Sequence, residues 1–144
     1  MFCYQCEETA RGTGCTVKGV CGKEGATAGL MDVLIYLCKG ISERNIAAAK
    51  SGKANNDAGM FIAEALFATL TNTNFDDARL KSLIAQAASL RDALPPAGAN
   101  EPAACTWKPA GDDAIAAKAE EIAKDAVNND DVHSLRALLV FGLK

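Results

Sequence analysis

From Ala26 onward, apolar residues return every three or four positions, and a helix is the one regular structure that gathers such a pattern onto a face. The stretch is rich in alanine and leucine and has little of the Val-Thr alternation that strands need. The pattern predicts an all-α fold. Over 27–41, Asp32, Tyr36 and Lys39 share one stripe, and Leu30, Met31, Val33, Leu34, Ile35, Leu37 and Cys38 fill the rest, as in a helix buried on most sides.

Asp57 reads as the cap of a second helix, with Met60, Phe61, Ala63, Leu66, Phe67 and Leu70 as its apolar face and a Thr-Asn turn at 71–74. Asp76 and Asp77 suit the first turn of a third, whose inner face is Leu80, Leu83, Ile84, Ala87, Leu90 and Leu94 and which Pro95 and Pro96 stop. Short connections between these three predict a three-helix bundle over 27–94. All four prolines fall between Pro95 and Pro109, so 95–111 reads as a linker. Beyond it, 112–144 reads as a helical pair. Ile115, Ala119, Ile122 and Ala126 align on its first helix, which Asn128-Asn129 ends; Val132, Leu135, Leu138, Leu139 and Phe141 align on its second. That last face is wide and stops without a glycine cap, as expected of a second bundle that continues in a longer polypeptide.

A net charge of -3 gives no broad basic field, so neither nucleic acid nor an anionic membrane is expected as a partner. The most apolar stretch, 30–41, is interrupted by Asp32 and Lys39 and too short to span a bilayer. The first 25 residues lack the apolar core of a secretory signal. The expected compartment is the cytoplasm, where thiols stay reduced and cysteines serve metal or redox chemistry instead of bridges.

The chain opens MFCYQCEETARGTGCTVKGVCGK, placing Cys3, Cys6, Cys15 and Cys21 at spacings of two, eight and five residues. A cubane of four irons and four sulfides takes one thiolate per iron, and Gly12, Gly14, Gly19 and Gly22 let the chain curl around it. Zinc also accepts four thiolates, usually from two CxxC knuckles; only one is present, but spacing alone leaves both metals open. A cubane with four thiolates is a dianion, and Arg11, Lys18 and Lys23 are at hand to compensate it. Phe2 and Tyr4 can shield the site, and Glu7 and Glu8 read as solvated. Cys38 reads as a small buried hydrophobe, Cys105 as a spectator thiol open to oxidation in the linker, and the sole histidine, His133, as a local hydrogen-bonding residue. The glycines match no phosphate loop.

The opening segment, with its Met-Phe-Cys start, CxxC pair, TGCTVKG and closing CGK, resembles the N-terminus of hybrid cluster proteins, also called prismane proteins or hydroxylamine reductases, in the class found in anaerobes. LMDVLIYLCKGIS, LFATLTNTNFDDARL and DDVHSLRALLVFGLK resemble later helices of that family. The resemblance implies an all-helical N-terminal domain with a 4Fe-4S cluster on Cys3, Cys6, Cys15 and Cys21 that relays electrons from a redox partner. It implies a second, hybrid iron-sulfur-oxygen cluster held by ligands this sequence lacks, in the remaining domains of the full-length enzyme. The implied reaction reduces hydroxylamine with two electrons and two protons to ammonia and water, or reduces nitric oxide. A stand-alone 4Fe-4S carrier and a zinc-stapled helical interaction module are the alternatives. The expected organisation is a cysteine-rich loop at 1–26, the bundle at 27–94, the linker at 95–111 and the helical pair at 112–144.

Overall fold

The computed structural model describes Cys3, Cys6 and residues 15–71, 73–124 and 129–144. The helices are α1 (Gly25–Ala49), α2 (Asn56–Ala68), α3 (Asp77–Ala93), α4 (Ala103–Thr106), α5 (Asp112–Lys124) and α6 (Asp130–Leu143). Among the described residues no strand forms, so the all-α expectation holds; the one β-type contact is an isolated antiparallel pairing of Cys3 with Cys15.

α1 is the axis, with α2, α3, α4 and α5 packed around it. Its Met31, Val33, Leu34, Leu37 and Ile41 are fully buried, which is what an apolar surface on nearly every side requires. The helix runs on past Ile41 because Arg44 turns inward. Its guanidinium donates to the Arg91 carbonyl (3.1 Å) and forks onto Glu101, Nε to Oε1 at 3.0 Å and Nη2 to Oε2 at 2.8 Å.

The cap of α2 is Asn55, whose side chain accepts from the Ala58 amide at 3.1 Å; Asp57 lies in the first turn instead. Asn55 is chosen because its backbone is already tied to the Asn45 side chain, by bonds of 2.7 and 3.0 Å. The buried face of α2 is Ala58 and Ala65, with Phe61 and Ile62 half-buried, while Met60, Ala63 and Phe67 of the expected face are exposed. In α3 the expected inner face holds, with Leu80, Leu83, Ile84 and Ala87 fully buried, while Asp76, expected with Asp77 in the first turn, caps the helix through the Ala78 and Arg79 amides and Asp77 alone lies in that turn.

The proline-rich stretch 95–111 is pinned to the bundle. α4 lies so close to α1 that a β-carbon on Gly40 would stand 2.6 Å from the Ala104 carbonyl carbon. Arg91, wholly buried, donates to the carbonyls of Ala104 (3.1 Å) and Trp107 (2.6 Å) and pairs with Asp92 (2.8 Å). Prolines interrupt helices but leave carbonyls free, and the two arginines satisfy those carbonyls. Cys105 is therefore fully buried, its thiol donating to the Gly40 carbonyl (3.7 Å) and pushed up by that burial, and so is not the exposed, oxidisable thiol that the sequence allows.

α5 packs against α1, and its Ile115 enters the same core. Lys118 lies 5.2 Å from the Tyr36 ring and 5.5 Å from that of Trp107, and the two rings meet edge to face at 6.1 Å. α6 leaves Leu135, Leu138, Leu139, Phe141 and Leu143 exposed. No helix among the described residues is long and apolar enough to cross a membrane.

Candidate metal centre

The Cys3–Cys15 pairing brings the first and third cysteines together in the backbone. The segment carrying Cys21 closes as a tight turn, with the Gly22 amide donating to the Gly19 carbonyl and the Gly19 amide to the Lys23 carbonyl, both at 2.8 Å. Gly22 holds φ at +91°, a conformation that side-chain-bearing residues rarely adopt. A β-carbon on Gly19 would approach the Lys23 carbonyl oxygen to 3.0 Å and the Cys21 sulfur to 3.3 Å. The two glycines let Cys21 and Lys23 turn toward the same space.

That space is one cavity lined by Cys3, Cys6, Cys15 and Cys21, together with Gly19, Val20, Lys23 and Thr71. Cys15 is buried, and Cys3, Cys6 and Cys21 are half-buried, so the cavity lies at the margin of the protein. None of the six cysteines forms a disulfide. Among the described residues no group of three or more His, Cys, Asp or Glu side chains is placed as a ready metal-ion site. Four soft sulfur donors on one cavity are a ligand set that iron-sulfur clusters and zinc both accept.

Charge around the cavity is uneven. Lys23 is 1% exposed, its ammonium donating to the Met31 sulfur at 3.0 Å and lying 5.7 Å from the Phe75 ring centre. Lys18 is exposed and pairs with Glu24 at 3.2 Å. Lys144 donates to the Thr69 carbonyl at 3.2 Å; burial, and then the nearby Lys23 charge, lower its ammonium to about 8, while Asp32 and Cys3 act in the opposite direction. Cys38 belongs to the core, where burial pushes its thiol up to about 12 and keeps it protonated and inert.

All four cysteines singled out in the sequence meet at one cavity; Cys38 and Cys105 do not reach it. Thr71 was missed as a lining residue because its Thr-Asn run reads only as a turn. Of the three basic residues named beside the cysteines, only Lys23 lines the cavity within the described part. Phe2, Tyr4, Glu7, Glu8, Arg11, Gly12, Gly14, Asn72, Ala126 and Asn128 lie outside the described residues, as does the side chain of His133.

Comparison with known proteins gives the same direction as the motif. The chain is 45% identical over 152 aligned residues to a hydroxylamine reductase of Desulfitobacterium hafniense strain DCB-2. It is 44% identical to that of Parabacteroides distasonis and 42% identical to that of Nitratidesulfovibrio vulgaris. Each alignment covers 100% of this chain and 28% of the relative, so the chain spans little more than a quarter of those enzymes. The model of the Prismane/CO dehydrogenase family matches residues 1–144 from end to end, and the chain belongs to that family.

Proposed function

We propose that Cys3, Cys6, Cys15 and Cys21 hold a 4Fe-4S cluster and that the chain is the N-terminal electron-accepting portion of a hydroxylamine reductase. The observation that carries this reading is the convergence of these four thiols, and no other cysteine, on one cavity. When bound, such a cluster takes up and gives back one electron at a time. The chain's own part is to supply one thiolate per iron, to screen the sulfurs with the Gly19–Lys23 turn, and to leave one side near solvent for a redox partner protein to approach.

The spacing of two, eight and five residues, with a single CxxC knuckle, favours a cluster over a zinc ion, which usually draws its thiolates from two such knuckles. The donor set and a reducing, cytoplasmic setting agree, since disulfides do not persist there. Substrate reduction, of hydroxylamine to ammonia or of nitric oxide, belongs to the full-length protein. There the hybrid cluster is bound by residues outside these 144, and the remaining domains receive the electron.

Anaerobic reconstitution followed by iron and sulfide analysis, visible absorbance and electron paramagnetic resonance after dithionite reduction tests the reading. Cys6→Ala and Cys15→Ala are expected to lose the cluster signal, while Cys38→Ala keeps it and costs about 1 kcal/mol of stability from the lost core volume. Full cluster content in Cys6→Ala and Cys15→Ala would show that other groups hold the iron. Zinc retained in place of iron by the native chain would favour the structural alternative.

A further inference from the structure

We infer that Lys23 is the positioning residue that sets how readily this centre accepts an electron, an assignment that rests on the reading of the four cysteines given above. Lys23 follows Cys21 by two residues, lines the cavity with all four thiols and is 1% exposed. Burying an ammonium is costly unless an anion or several good acceptors meet it. Its partners among the described residues are a thioether sulfur and an aromatic ring, both weak, and no carboxylate there forms an ion pair with it.

A structural role alone does not account for this charge, because a methionine or leucine would fill the same volume without the desolvation cost. An anion in the cavity does account for it. Four thiolates and a cubane carry a net dianionic charge, and one electron delivered by an external reductant makes that charge more negative. A fixed buried cation beside the centre stabilises the reduced state more than the oxidised one and so raises the reduction potential. Lys18 is unsuited to this task, since it is exposed and already paired with Glu24. The Gly19–Lys23 hydrogen bond holds the lysine backbone to the same turn that presents Cys21, which fixes the charge relative to the sulfur.

The test is a potentiometric titration, read by electron paramagnetic resonance, of the reconstituted chain and of Lys23→Met, Lys23→Gln and Lys23→Arg. The neutral variants are expected to keep their cluster and titrate at a more negative potential, with Arg returning most of the shift. A neutral variant with full cluster and the native potential overturns the assignment. Should neither neutral variant load iron, Arg decides: restored loading supports a requirement for the cation, and continued failure makes Lys23 a packing residue and overturns the proposal. A native chain that never takes up iron and sulfide would count against the cluster reading itself, a result distinct from all of these.

Discussion

At Gly40, one hydrogen in place of a methyl group allows α4 to lie against α1. A side chain there meets the Ala104 backbone, which cannot swing aside because Arg91 holds the Ala104 carbonyl. Gly40→Ala is expected to lower stability by roughly 1–3 kcal/mol, the usual range for overpacking, and to expose Cys105 to thiol reagents while cluster content stays unchanged. Urea denaturation and thiol titration read the two effects; a variant as stable as the native chain with Cys105 still protected would refute the packing argument. Individual residues were legible in the sequence where chemistry and default burial agreed. Cys38 looked like a core residue and is one, and the front four cysteines stood out by spacing. The buried cations were not legible. Lys23, Arg44 and Arg91 belong to residue types that ordinarily face water, and the partners that draw the arginines inward lie far along the chain, Glu101 and the carbonyls of Ala104 and Trp107.

Among the elements, the longer helices could be read from periodicity and prolines, but not the run of α1 from Ile41 to Ala49, the short α4 within the proline-rich stretch, or which face of α2 turns inward. Its apolar residues run almost round the helix, and the interface takes the small ones, Ala58 and Ala65, leaving Met60 and Phe67 outside. The stretch after α3 shows the converse: its prolines suggested a loose connection, and ionic contacts hold it down. The fork from Arg44 and the Ala97 amide hold the Glu101 carboxyl below its ordinary value near 4.5. Because the folded-state pKa is depressed, the pair stabilises the fold above that value, and its contribution is lost as pH falls through the folded-state pKa. Glu101→Gln should therefore be less stable than the native chain at neutral pH and lose less on acidification. Urea midpoints compared between neutral pH and about pH 3 measure this. Parallel acid losses in the two proteins would rule out Glu101 as the titrating group.

On the scale of the whole molecule, α6 is an element whose surface fits only part of what surrounds it. Leu135, Leu138, Leu139 and Leu143 are 62 to 65% exposed and Phe141 is 42% exposed, on a helix whose spacing groups Leu135, Leu138 and Leu139 together. Contiguous apolar surface of this kind ordinarily marks an interface. This chain covers 28% of the length of its relatives, so a polypeptide of their length has further residues that can be tested as cover for this face. Paired Leu138→Glu and Leu139→Glu should therefore be nearly neutral in the 144-residue chain, where the side chains already meet water. In a polypeptide of the relatives' full length the same pair should cost about 3 kcal/mol or more, since burying each leucine contributes about 1.5–3 kcal/mol. Denaturation of both proteins, with and without the substitutions, gives the comparison. Equal small effects in the two contexts would mean that the added residues leave α6 bare, whereas a chain dimer that the glutamates dissociate would assign the face to a second copy.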